Sequence, residues 1–132
     1  MFLTHSLYTG DEVGLLLDTG HLTFVGVDPM AVARRWVSHI NHAHCKNVCA
    51  DVLADVKNRK TSFLDVVLSG VFTVPGDGGV NYPPIIRLLK EQDYQGWLVV
   101  EAEQDPAVAH PLTYARPGYN NLNRLARDAG LI

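Results

Sequence analysis

Two cysteines, Cys45 and Cys49, are all the chain has, too few for a disulfide framework. Their close spacing raises metal binding, but a structural zinc site needs two further ligands, and only His42 and His44 lie near. Two free thiols are therefore expected. Dense Lys/Arg runs and basic aromatic platforms are missing too. With a formal net charge of −3, nothing electrostatic points to nucleic acid. No apolar run approaches the length of a membrane span, and the start Met1-Phe-Leu-Thr-His5 lacks the basic region and long apolar core of a signal peptide. These absences lead us to expect a soluble cytoplasmic protein with neither a nucleic-acid nor a membrane partner. Internal repeats, low-complexity tracts and linkers are also lacking. What remains, 132 residues of which 47% are hydrophobic and 19% charged, suits one folded domain over 1–132 and a small neutral or anionic metabolite as ligand.

Within that domain, Val13-Gly-Leu-Leu-Leu-Asp-Thr-Gly-His21 is an apolar run ending abruptly in a carboxylate, a tight turn and an imidazole. Val13 to Leu17 has the near-continuous apolar character of a strand covered on both faces. Asp28-Pro29 then supplies an N-cap and a proline at the first helical position, and Met30, Ala33, Trp36 and Val37 continue at helical spacing, predicting a helix over about 29–38. A second strand is expected near Ile40 to His44, its period of two placing His42 and His44 on one face. Asp51 to Lys60 reads as polar and partly helical, and Thr61-Ser62 as the cap of a short helix through Leu68, stopped by Gly70. Val71 to Gly79 reads as a shaped loop, with a brief extended piece at its start. Tyr82-Pro83-Pro84 starts a helix that turns Ile85, Ile86, Leu88 and Leu89 inward and Arg87, Lys90 and Glu91 to water. Trp97 to Val100 forms the third strand, ending at Glu101. After Pro106 and Pro111 an irregular segment is expected, then a last helix carrying Leu122, Leu125, Ala126 and Ala129.

Strands alternating with helices want a parallel sheet with right-handed crossovers. A complete (β/α)8 barrel takes about 250 residues, so this chain has material for roughly three of the eight units. The fold class expected is α/β, a partial TIM barrel comprising about the last three βα units with parallel strands. Three strands alone leave two edges and part of one face uncovered, so a homo-oligomer is expected to cover them. Each strand ends in a group able to bind metal, and in parallel α/β architectures sites lie beyond those carboxyl ends.

Leu15-Leu-Leu-Asp-Thr-Gly-His-Leu-Thr-Phe24, His42-Ala-His-Cys-Lys46, Ser62-Phe-Leu-Asp65, Gly70-Val-Phe-Thr-Val-Pro-Gly-Asp-Gly78 and Gly96-Trp-Leu-Val-Val-Glu-Ala-Glu-Gln-Asp-Pro106 carry a resemblance. In shared order and spacing, from about residue 10 to 126, they resemble the myo-inosose-2 dehydratase family, inositol-catabolic enzymes of the xylose-isomerase-like barrel superfamily. The resemblance implies a divalent metal such as manganese or cobalt, with magnesium as a third choice, and dehydration of 2-keto-myo-inositol, a cyclitol ketone. It also implies that this is the C-terminal part of such a barrel, the first five strands and a fourth carboxylate ligand lying upstream. Asp18, His44 and Glu101 match metal-ligand positions, and Glu101, His21 and Lys46 are the catalytic candidates. His21, His42, Lys46 and Glu103 are the substrate-binding candidates, Glu103 doubling as reserve ligand and His42 as a group orienting His44. The chain departs from the family at Asn47 and Asn81, where aspartates are common, and at Cys49, where an arginine is.

Each residue has a plainer reading. Asp18-Thr19-Gly20 reads equally as a turn with an Asx cap. His42 reads as a packed histidine, Lys46 as a solvated loop residue, and Glu103 as an arginine's partner. Glu101 is costly to bury without a cation, which favours function. Pro75-Gly-Asp-Gly-Gly79 lacks the glycine spacing and Lys-Ser/Thr of a phosphate-binding loop and reads as a barrel-rim loop near the substrate. The leading expectation is a metal-dependent lyase, with loss of activity in this truncated chain as a variant of that reading. The alternatives are a sugar epimerase or isomerase of the same superfamily, and a noncatalytic fragment or interaction module.

Overall fold

The computed structural model of the chain describes residues 12–57 and 61–132. The part of the expected Asp51–Lys60 segment beyond residue 57 thus lies outside the described residues. Three parallel strands form the main sheet in the order β1-β2-β5: β1 is Leu15–Asp18, β2 is Ile40–Cys45 and β5 is Trp97–Val100. Asp18 stands beside His44, and His44 beside Val99, so the three carboxyl ends lie level.

Alternation along the strands separates two faces. Leu15, Leu17, Ala43 and Cys45 are buried beneath α2 (Pro29–Trp36) and α5 (Tyr82–Glu91), which contribute Val32, Ala33, Trp36, Ile85, Ile86 and Leu89 to one core. The Asp28 side chain accepts the Met30 N–H and caps α2, and Pro29 occupies its first turn, as its sequence dictates. The last helix, α6 (Pro111–Asp128), adds Leu122 to the same core. The opposite face carries Leu16, Asp18, His42, His44, Trp97 and Val99. That face is open: Leu16 is 46% exposed and Trp97 75%. The expectation that β1 is covered on both faces is thus corrected. An arc of three strands has helices outside it and nothing across its inner side among the described residues.

Four other differences from the sequence reading have local causes. The tight turn expected after Asp18 is a six-residue helix, α1 (Thr19–Phe24), too short to show a period. The helix expected over 29–38 ends at Trp36 and tightens into a 3-10 turn, Val37–His39. A two-residue antiparallel ribbon pairs β3 (Asn47–Val48) with β4 (Phe72–Thr73), with α3 (Ala50–Lys57) and α4 (Phe63–Leu68) between them. The segment after Pro111 is not irregular: α6 starts there, and Pro117 is accommodated inside it. Ser62 and Gly70 bracket α4 as expected. The serine hydroxyl accepts the Asp65 N–H, and Gly70 adopts the φ of +81° at which the helix stops.

Candidate metal centre

Each strand of the arc sends one donor to a common point. One ligand atom each from Asp18, His44 and Glu101 lie within 4.8 Å of one another, on three segments far apart in sequence. His44 Nδ1 is 2.9 Å from Glu101 Oε2 and 3.7 Å from Asp18 Oδ2. The two oxygens of Asp18 face different ways. Its Oδ1 accepts the His21 N–H as the cap of α1, while Oδ2 faces the cluster.

Lys46, one residue past β2, corrects the solvated reading, because its side chain is 0% exposed. Its Nζ lies 2.8 Å from Glu103 Oε2, 3.1 Å from Glu101 Oε2 and 3.5 Å from Asp18 Oδ2. Burial pulls this ammonium's pKa down, but the Glu103, Asp18 and Glu101 carboxylates outweigh it, leaving the pKa above the ordinary lysine value. The Phe72 ring adds a cation-π contact at 5.0 Å. His21 spans two carboxylates, with Nδ1 2.9 Å from Asp18 Oδ2 and Nε2 3.1 Å from Glu103 Oε2. Glu103 therefore pairs with Lys46 and His21, not with an arginine. His42 touches the cluster only by its ring, edge-on to His44 at 5.3 Å. The Pro75–Gly79 loop folds onto β3: Gly79 N–H donates to the Val48 carbonyl, and next to it Val80 N–H donates to Asn47 Oδ1. Cys45 and Cys49 are free thiols, and burial aided by the Asp18 charge pushes the Cys45 pKa up to about 12.

Three residues that the sequence reading did not single out hold this arrangement. The Thr19 hydroxyl lies 2.7 Å from the Lys46 carbonyl and 2.8 Å from the Tyr82 hydroxyl, which itself donates to the Lys46 carbonyl at 2.8 Å. Both side chains are buried, so they peg the end of β2 to α1 and α5. A Cβ at Gly20 would overlap Lys46 Cγ, so the absent side chain is what lets the lysine stem pass. The Asp-Thr-Gly-His run signals two of these residues. Nothing local signals Tyr82, 36 positions from Lys46.

The donor set fits a divalent cation. One imidazole and two carboxylates suit an oxygen-preferring divalent metal better than a thiolate site. Three carboxylates, Asp18, Glu101 and Glu103, converge on the single ammonium of Lys46. Glu101 Oε2 is buried and accepts no aligned hydrogen bond despite its close nitrogen neighbours, so its lone pairs remain available.

Comparison with known proteins bears on the fold. A family model described as xylose isomerase-like TIM barrel matches residues 8–125. The chain is 56% identical over 122 residues to the rhizopine catabolism protein MocC of Rhizobium meliloti, covering 92% of this chain and 38% of the relative. It is 53% identical over 103 residues to the inosose dehydratase of Clostridium tetani, covering 78% of this chain and 35% of the relative. For the inosose dehydratase of Geobacillus kaustophilus the figures are 49% over 113 residues, 86% and 37%. The chain thus spans little more than a third of the length of these curated relatives. An arc of three βα units with its donors at the carboxyl ends is what such a share of a barrel supplies, and the chain belongs to the xylose isomerase-like TIM barrel family.

Proposed function

We propose that the chain provides the cation-holding part of a hydro-lyase that dehydrates 2-keto-myo-inositol. The observation that carries the reading is the meeting of Asp18, His44 and Glu101 at three adjacent strand ends, with Lys46 and His21 beside them. Relatives named inosose dehydratase supply the substrate.

Loss of water from a β-hydroxy ketone requires removal of the proton beside the carbonyl, accommodation of the resulting negative charge, and protonation of the departing hydroxyl. Asp18, His44 and Glu101 would hold a divalent ion, Mn2+ or Co2+ before Mg2+, and such an ion supplies Lewis-acid polarisation of the carbonyl. Lys46, its pKa held above the ordinary lysine value by the neighbouring carboxylates, places a buried ammonium where enolate charge develops. Glu101 is the carboxylate assigned to the carbon-bound proton, taken by the oxygen that would not hold the cation. His21, half exposed, hands a proton to the departing hydroxyl, so that water leaves. Glu103 and His42 stand within reach of the same mouth and bind substrate hydroxyls.

Calorimetric titration with Mn2+, together with an assay of 2-keto-myo-inositol consumption, tests the reading. Saturable binding that disappears in Asp18→Asn supports it. A chain with neither binding nor turnover is the noncatalytic fragment instead. The high identity to MocC favours a second reading, a role in rhizopine catabolism. Assaying rhizopine-derived and inositol-derived ketones on one preparation separates the two.

A further inference from the structure

Glu103 lies three positions past β5, and its φ of +35° puts a residue with a full side chain in the left-handed region. That conformation is disfavoured and persists only where the surroundings impose it. Its result is that Glu101 and Glu103 send carboxylates to the same ammonium, with Glu103 Oε2 also reaching His21 Nε2. Lys46 is contested. Its nearest oxygen belongs to Glu103 at 2.8 Å, while Glu101 at 3.1 Å and Asp18 at 3.5 Å offer the alternatives. Those two alternatives are the carboxylates of the donor set. An ammonium that settled on them would act as an internal counter-ion and compete with any divalent cation for the same oxygens.

We propose that Glu103 is a positioning residue for cation binding, drawing the Lys46 ammonium toward itself and away from Asp18 and Glu101 so that their oxygens stay available. The inference rests on the metal-holding reading above. Glu103 acts through Lys46, and this separates the idea from two plainer ones. A ligand, or a distant negative charge, favours the cation whether or not Lys46 is charged. A positioning residue matters only while there is an ammonium to position.

The test is a double-mutant cycle on the 132-residue chain, read as Mn2+ affinity by calorimetry. Glu103→Gln is expected to weaken Mn2+ binding about tenfold or more, as loss of a group supporting metal ligands commonly does. In a Lys46→Met background the same change is expected to cost less than about twofold, a strong departure from additivity. Equal losses in both backgrounds overturn the proposal and leave Glu103 a ligand or a general negative charge. Should Lys46→Met fail to fold by circular dichroism, Lys46→Gln takes its place in the cycle with the same expectations. A merely structural role for Glu103 lowers thermal stability and affinity together in both backgrounds, which also overturns it. A wild-type chain that takes up no Mn2+ removes the metal reading itself, and this inference falls with it.

Discussion

Lys46 sits in a chamber built to its outline, and the smallest residue in that chamber is the most sensitive. Gly20→Ala puts a methyl into the lysine stem near its root, where the chain cannot swing aside. Overpacking of this kind costs roughly 1–3 kcal/mol. Chemical denaturation is expected to register that loss, and Mn2+ affinity is expected to fall with it as the ammonium is displaced. The thiols give a second test at this scale. Burial raises both cysteine pKa values, Cys45 from 9.0 to about 12, with the Asp77 and Asp51 charges adding to the rise at Cys49. A thiol reagent at pH 8 is therefore expected to modify Cys49 slowly and Cys45 only on unfolding. The sign for stability follows from the same shift: the unfolded chain releases the Cys45 proton near pH 9 and the native chain near 12, so this contribution is intact below pH 9 and lost as pH climbs through that window. Among single residues, Asp18 and Glu101 were legible because each terminates an apolar run, where a carboxylate has no packing reason to be, and His44 because it stands in the His42-Ala-His-Cys-Lys46 motif. Tyr82 was not, because a buried hydroxyl bonded to a backbone carbonyl leaves no mark on the pattern of apolar positions.

At the scale of elements, the pieces read correctly from sequence are those whose own residues decide them. Asp28-Pro29 begins α2, Ser62 and Gly70 bound α4, Tyr82-Pro83-Pro84 opens α5, and short leucine or valine runs make β1 and β5. The misread pieces are decided elsewhere. The β3-β4 ribbon exists because Asn47 meets Thr73 across two intervening helices, a pairing no short window contains. The start of α6 was read as irregular because of Pro106 and Pro111, although Pro111 opens the helix and Leu122 and Ala126 bury its inner side. The α1 helix depends on one side chain doing two things. Asp18→Asn keeps a capping oxygen and loses the charge, whereas Asp18→Ala loses both. Both variants are expected to abolish Mn2+ binding, while urea unfolding is expected to place the alanine variant about 1 kcal/mol below the asparagine one, the worth of a typical N-cap. Equal stabilities would mean that the cap contributes nothing and that α1 is held by its packing alone.

The whole molecule is shaped by its missing inner cover. In this arc the helix side is finished, with Leu17, Ile86 and Leu89 almost wholly buried, while the inner side presents Leu16 and Trp97 to water and β1 and β5 leave their outer edges unpaired within the described sheet. No helix among the described residues is long and apolar enough to cross a membrane. An exposed apolar face beside open parallel edges favours association, since pairing satisfies edge N–H and C=O groups and removes apolar area from water at once. Fold class and the parallel run of the strands followed from the alternation of elements, but the closing of a barrel is a property of more strands than these, and no pattern within 132 residues fixes what lies across the arc. The expectation that copies of the chain cover one another can be measured. Light scattering on the isolated chain is expected to give a mass above 14.5 kDa that rises with concentration. Trp97 reports on the same event, because the only other tryptophan, Trp36, is buried in the core and can be replaced by phenylalanine. In Trp36→Phe, Trp97 emission is expected to shift to the blue and to lose acrylamide quenching as association proceeds. Leu16→Lys, which places a charge on the open face without touching the donors, is expected to reverse both changes. A mass fixed at 14.5 kDa with fully quenchable Trp97 at every concentration would show that the arc is stable with its inner side bare.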